Sequence, residues 1–264
     1  MTAEAVVLMV AMAVAAGLVG SFAVMRHMSL AADPLSHIAL PGIGIALALH
    51  HQPIFGAVAA LLVGAVLIWF LEGRAQIPTD AIIGVVFSAA LAIGTLTTTG
   101  EDLIDALFGS GAAPTTAEFA FVVVAAIAII VFVLAMRNRL IITIMSPDIA
   151  RTAGVNARLL ELAYLVMFAL TIAIGLRYLG VLLMGALIII PAVTANRLAR
   201  NLREMLRLTV GTSVAVTIAG AGAASFLNLQ TGPVIVLVAA AVFVVSLLGS
   251  RPATSRSQKP VATK

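Results

Sequence analysis

MSLAADPLSHIALPGIGIALAL, residues 28–49, sets an aspartate and a histidine inside a run that is otherwise almost wholly apolar. An ionised Asp at the bilayer centre costs about 2.5–3.5 kcal/mol on insertion scales, so a carboxylate in such a run faces a cavity, a partner or an ion. Asp33 and His37 are four residues apart, which on a helix puts both on one face with Cβ atoms about 5–6 Å apart. One cation can touch both. Asp33 followed by Pro34 also reads as a helix start, with Asp as N-cap and Pro at the first helical position. Pro41 has no N–H for the carbonyl of His37, and Gly42 and Gly44 admit another backbone closely. The pattern is that of a broken helix lining a cavity. Two readings of the pair stand side by side: a helix cap with a hydrogen-bonded interior histidine, or an ion-binding pair on a transport path.

Composition places this run in a membrane. The chain has 264 residues, 62% hydrophobic and 10% charged, where soluble domains average about 45–50% apolar and about 25% charged. Its 15 basic and 11 acidic side chains are too few to cover a water-facing surface of that size. Apolar runs cover 4–25, 33–49, 53–71, 81–99, 118–136, 159–176, 179–195, 208–227 and 233–249, each near the length a transmembrane helix needs. The first reads as a span and not a cleaved signal, since Glu4 is acidic and no basic residue precedes it. The fold class is therefore all-α: a polytopic bundle of about eight or nine membrane segments in one domain, residues 1–250. The polar stretch RPATSRSQKPVATK, residues 251–264, is a disordered tail.

The charges report sidedness. Arg137, Arg139, Arg151 and Arg158 fall in one loop, Arg197, Arg200, Arg203 and Arg207 in another, and Arg251, Arg256, Lys259 and Lys264 in the tail. Short cytoplasmic loops collect basic residues, so all three are expected inside, with the C-terminus cytoplasmic. Glu101, Asp102, Asp105 and Glu118 lie in an outward stretch with no basic residue, where cations would first meet acid. Nine full spans put the N-terminus outside; one re-entrant segment puts it inside. The net charge of +4 is thus topology, and no nucleic-acid partner is expected.

The absence of cysteine excludes thiolate sites and disulfides, leaving oxygen and imidazole as metal ligands. Arg26 and His27 read as an interfacial pair ending the first span, and His50 and His51 beside Gln52 either as solvated turn residues or as groups that collect metal at an entrance. Arg177 and Tyr178 occupy the turn between the sixth and seventh runs. Residues 181–207, VLLMGALIIIPAVTANRLARNLREMLR, lead through Pro191 into a basic amphipathic stretch. Leu198, Leu202, Met205 and Leu206 recur at helical spacing, which predicts a short surface helix that lies on anionic lipid or docks a soluble protein. There is no G-x-x-x-x-G-K-[ST] loop, dinucleotide fingerprint, H-E-x-x-H or G-x-S-x-G, so the chain is not expected to be an enzyme.

Several of these segments resemble the membrane permeases of bacterial ABC importers for zinc, manganese or ferrous iron. Asp33-Pro34-Leu35-Ser36-His37-Ile38-Ala39-Leu40-Pro41-Gly42 is similar to that family's Asp, three residues, His, then Leu-Pro-Gly. Thr79-Asp80-Ala81-Ile82-Ile83-Gly84, Leu107-Phe108-Gly109 and Asp148-Ile149-Ala150-Arg151-Thr152-Ala153-Gly154 resemble further family motifs. So do Gly180-Val181-Leu182-Leu183 with Ala186 through Pro191 to Ala195, and Gly232 to Val242. Departures are Pro34, where the family often has a small apolar residue, and Ser146-Pro147, where it often has an aromatic one. The resemblance spans about residues 15–249 and implies a homodimer in the bacterial cytoplasmic membrane, similar in fold to type II ABC importer permeases. It also implies a cytoplasmic ATPase dimer beneath and an extracytoplasmic metal-binding protein outside. Two copies of Asp33 and His37 would offer two carboxylates and two imidazoles to a transported divalent metal, with no permanently bound cofactor. Pro191, Asn196, Arg197, Arg200, Arg203 and Glu204 would form the ATPase-coupling segment. The other classes the residues admit are a gradient-driven carrier or channel without an ATPase, and a membrane scaffold.

Overall fold

The computed structural model describes residues 3–29, 31–74, 77–97, 107, 109 and 115–249. Among these it forms α1 (Ala3–Met25), α2 (Ala32–His37), α3 (Ala39–Ala48), α4 (Pro53–Glu72), α5 (Thr79–Thr97), α6 (Thr116–Met145), α7 (Pro147–Thr152), α8 (Ala157–Leu198), α9 (Leu202–Leu227) and α10 (Thr231–Gly249). Eight stretches are long and apolar enough to cross a membrane: α1, α4, α5, α6, two halves of α8, α9 and α10. The run expected over 33–49 is instead the short pair α2–α3. The all-α membrane bundle expected from the sequence is the observed fold.

α8 is one helical run with a single non-helical residue, Gly180, at φ 71 and ψ 174. That conformation is essentially open only to glycine. The chain reverses there: a Cβ on Gly175 would lie 2.1 Å from Met184 Sδ, which nine residues of straight helix would keep far apart. The turn expected around residues 177 and 178 is thus a glycine hairpin. α1 and the two halves of α8 form the interior, with 67%, 61% and 65% of their apolar windows buried, against 33% or less for α4, α5, α6, α9 and α10. Tyr164 and Phe168 of α8 pack edge to face at the centre, and the Tyr164 hydroxyl donates to the Val19 carbonyl of α1 at 3.1 Å.

Contacts between helix ends fix the path of the chain. Arg26, after α1, pairs with Glu161 at 3.4 Å and lies over the Tyr164 ring. The Trp69 indole donates to the Arg158 carbonyl at 2.8 Å, and the Thr79 hydroxyl donates to Glu72. Arg26, Thr79, Ile144, Arg158 and Glu161 line one cavity. The ends of α1, α4 and α6 and the starts of α5 and α8 therefore meet at one end of the bundle. Gly17 backs Val210 and Ser213 of α9, and Gly220 backs Ile235 of α10, so α9 starts and α10 finishes at that same end. Between Arg26 there and His50 at the far end, α2–α3 carries the chain across, with Leu40 beside Gly94 and Gly42 against Gly56. Among the described residues the chain thus runs the length of the bundle nine times. Ala3 and Gly249 lie at opposite ends.

Three local expectations change. α6 runs nine residues past the predicted span, so Arg137 and Arg139 are on its exposed last turns and not in a loop. Glu118 is a buried capping residue: Thr115 Oγ1 accepts from the Glu118 amide, and Glu118 Oε2 accepts from the Thr115 amide at 2.8 Å. It belongs to the helix start and not to a free acidic loop, because the capping box satisfies the Thr115 and Glu118 amides reciprocally. Glu101, Asp102, Asp105 and the tail lie outside the described residues. The surface helix expected near 196–207 does not form as a separate element. α8 ends at Leu198, Asn201 Oδ1 accepts from the Glu204 amide at 2.9 Å, and α9 runs on from Leu202 to Leu227. The N-cap starts a long helix there, and nothing stops it after two turns.

Candidate functional site

α2 carries both predicted ligands. Asp33 is the second residue of the helix and is exposed on the single chain; His37 is the last and is half-buried. Asp33 is not the N-cap. α2 begins one residue earlier, Ala31 precedes it with no side-chain cap, and the Leu35 amide donates to the Ala31 carbonyl at 3.0 Å. Pro34 is accommodated in this first turn, where no N–H is needed. The carboxylate is consequently free of backbone duty. His37 is not a satisfied interior histidine either: its Nδ1 is buried and has no hydrogen-bond partner among the described residues.

The helical ladder is interrupted at Ile38, three residues before Pro41, with the backbone there still in the helical region. Ile38 separates α2 from α3, its amide donating to the Leu35 carbonyl at 3.2 Å, and Pro41 occupies the first turn of α3. Because Pro41 cannot donate, the carbonyl of His37 loses its helical partner. Two neighbours seat α2. A Cβ on Gly185 of α8 would come within 3.0 Å of the Asp33 Cα and backbone nitrogen, so the missing side chain is what lets α2 lie on α8. On the other side Phe87 of α5 meets the His37 ring, centroids 5.4 Å apart and planes tilted by 58°. Neither Phe87 nor Gly185 stands out in the sequence; each is defined by a partner 50 or more positions away. Among the described residues no group of three or more His, Asp or Glu side chains converges as a metal site. One chain supplies two donors, Asp33 and His37.

The predicted coupling residues gather at the end of the bundle that holds Arg26 and Glu161. Asn196 and Arg197 are exposed in the last turn of α8, Arg200 is exposed in the link, and Arg203 is exposed in the first turn of α9. Glu204 is occupied locally, its Oε2 accepting from the Arg200 amide at 2.9 Å. Pro191 is separate from this corner, buried within α8 more than a turn away. His50 and His51 are exposed in the turn at the opposite end, and His27 is exposed with φ 59 as the left-handed residue that ends α1. Arg26 is no interfacial pair-mate of His27, because it turns inward to Glu161 and Tyr164.

Comparison with known proteins agrees with this architecture. The chain is similar to the high-affinity zinc uptake system membrane protein ZnuB of Haemophilus influenzae, 30% identical over 86% of this chain and 89% of that protein. It is also similar to the manganese transport system membrane protein MntC of Listeria innocua, 29% identical over 93% of this chain and 89% of that protein. Among solved structures, PsaBC from Streptococcus pneumoniae in complex with Fab superposes with a TM-score of 0.81 at 27% identity, covering 92% of this chain and 90% of that one. Residues 1–250 match the ABC 3 transport family, so this membrane bundle, with its Asp33–His37 pair and exposed arginine corner, belongs to that family.

Proposed function

We propose that the chain is the permease of an ATP-driven importer that carries zinc, manganese or ferrous iron across the bacterial cytoplasmic membrane. The observation that carries this reading is the pair on α2: an exposed carboxylate released from capping and, one turn on, a half-buried imidazole whose Nδ1 is buried and unpaired among the described residues, both within a run that is otherwise almost wholly apolar. Such groups are costly in a membrane unless an ion or partner uses them. The relatives' names, a zinc and a manganese transport protein, supply the cargo class.

Two donors cannot replace the hydration shell of a divalent cation. A second copy of the chain, related by a two-fold axis beside α2, doubles the set to two carboxylates and two imidazoles, a mixed nitrogen and oxygen site suited to all three metals. Without metal the carboxylates repel across the axis; the cation relieves this on entry. The positive-inside rule makes the arginine end cytoplasmic, since Arg137, Arg139, Arg151, Arg158, Arg197, Arg200, Arg203 and Arg207 all lie there. The C-terminus is then cytoplasmic and the start of α1 external. A separate ATPase dimer docks on Asn196, Arg197, Arg200 and Arg203, and its closure reaches α2 through α8, in which Pro191 leaves the Leu187 carbonyl without a helical donor and Gly185 lies against Asp33. A metal-binding protein delivers cargo at the opposite face. ATP hydrolysis belongs to the ATPase, and the permease supplies path and selectivity.

The test is radiolabelled zinc and manganese uptake by the transporter reconstituted with its ATPase. Asp33→Asn and His37→Gln each reduce uptake by about 10-fold or more while the dimer and its ATPase contact persist. Wild-type uptake by both variants overturns the site. ATP-independent uptake by the permease alone overturns the importer in favour of a gradient-driven carrier.

A further inference from the structure

We propose that Phe87 is a positioning residue for His37, fixing the imidazole so that the edge turned from the buried Nδ1 faces a cation shared with Asp33. This rests on the metal-permease reading above and adds to it a residue on a third helix. The orientation of a metal-binding histidine is ordinarily set by its second ring nitrogen, which donates to a carboxylate, a carbonyl or water and makes the ring a stronger ligand. His37 lacks that partner: Nδ1 is buried and unpaired among the described residues. What the ring does meet is Phe87, centroid to centroid at 5.4 Å with a 58° tilt, an attractive geometry for two aromatic rings.

The two donors are therefore seated by different helices. Asp33 is placed through its backbone by Gly185 of α8, and His37 through its ring by Phe87 of α5, which is itself held against α3 where Gly94 meets Leu40. A shift of α5 relative to α8 changes the spacing of the pair without altering either ligand. An imidazole held by an aromatic wall, with no acceptor for Nδ1 among the described residues, also lacks the strengthening that such a hydrogen bond gives a ligand. That is a weaker ligand, suited to a site that must let its cation go.

The experiment uses the full-length chain in lipid nanodiscs with cobalt(II) as the probe, reading its dissociation constant and its visible ligand-field bands, with thermal unfolding as a check on folding. Phe87→Leu, which keeps apolar volume but removes the ring, weakens cobalt binding about 10-fold and alters the bands. Phe87→Tyr restores both. In a His37→Gln background Phe87→Leu has no further effect, because the ring it positions is gone. Wild-type affinity and spectrum in Phe87→Leu overturn the proposal, as does an equal loss in the His37→Gln background, which would make Phe87 a general packing residue. Wild-type cobalt binding by Asp33→Asn and His37→Gln is a different failure: it removes the metal site itself.

Discussion

Gly185 has no side chain because the backbone of Asp33 occupies the space where one would be. A Cβ there would lie 3.0 Å from the Asp33 Cα and nitrogen, tighter than ordinary contact, so Gly185→Ala moves α2 by a few tenths of an ångström. The expected outcome is a transporter that assembles and unfolds near the wild-type temperature but has a KM for metal raised several-fold, as a small misplacement of supporting groups commonly produces. Gly42 and Gly56 are less forgiving. Their added Cβ atoms would lie 2.0 and 2.1 Å from each other's carbonyl oxygens, where backbone cannot yield. Gly42→Val is expected to cost about 1–3 kcal/mol by overpacking, seen as a lowered Tm and loss of the folded fraction in detergent. Arg26 shows the same dependence on a neighbour. Its side chain is 10% exposed and its only ion pair among the described residues is with Glu161, so Glu161→Leu strands a buried guanidinium and costs about 2 kcal/mol or more.

At the scale of elements, the interruptions in the helices carry as much information as the helices. Gly180 reverses α8 in a conformation that side chains rarely adopt, and Gly180→Ala is expected to cost about 1–3 kcal/mol, measurable as a drop in Tm. The break between α8 and α9 depends on hydrogen bonds that Asn201 and Glu204 make with local amides. Asn201→Ala removes an N-cap at a cost of about 1 kcal/mol. If this corner receives the ATPase, that loss appears as metal-stimulated ATP hydrolysis becoming uncoupled from uptake; unchanged coupling would place the contact elsewhere. Arg200→Glu with Arg203→Glu is the direct check: on the proposed docking, charge reversal at these exposed positions is expected to abolish ATPase binding without touching the bundle interior, and unchanged binding would place the contact elsewhere.

For the molecule as a whole, nine passages among the described residues put Ala3 and Gly249 at opposite ends of the bundle, which on the proposed topology are opposite sides of the membrane. The chain has no cysteine, so single introduced thiols report without background. Glu4→Cys is expected to react with an impermeant maleimide from outside, and Leu248→Cys only after the cytoplasmic face is opened. Labelling of both from one side would mean that α2–α3 enters and leaves by the same face.

The sequence by itself determined what depends on composition and short spacing. Membrane insertion follows from apolar runs, the expected sidedness from where the arginines cluster, and the Asp33–His37 pair from a single helical turn. The unpaired His37 carbonyl just before the Ile38 interruption follows from the missing N–H of Pro41. These are local properties, and neighbours in sequence suffice to state them. Tertiary structure alone decided that residues 32–48 traverse the bundle, because α2–α3 is too short to be told from a re-entrant segment by length. It alone assigned Glu118 to a cap, turned Arg26 inward, merged the expected surface helix into α9, and brought Gly185 and Phe87 to the Asp33–His37 pair. Each of these rests on contact between residues from 3 to more than 100 positions apart, and the polarity of a residue does not say which neighbour will satisfy it. In a bundle where nearly every surface is apolar, hydrophobic pattern cannot choose partners; close glycine contacts and a few buried polar bonds do.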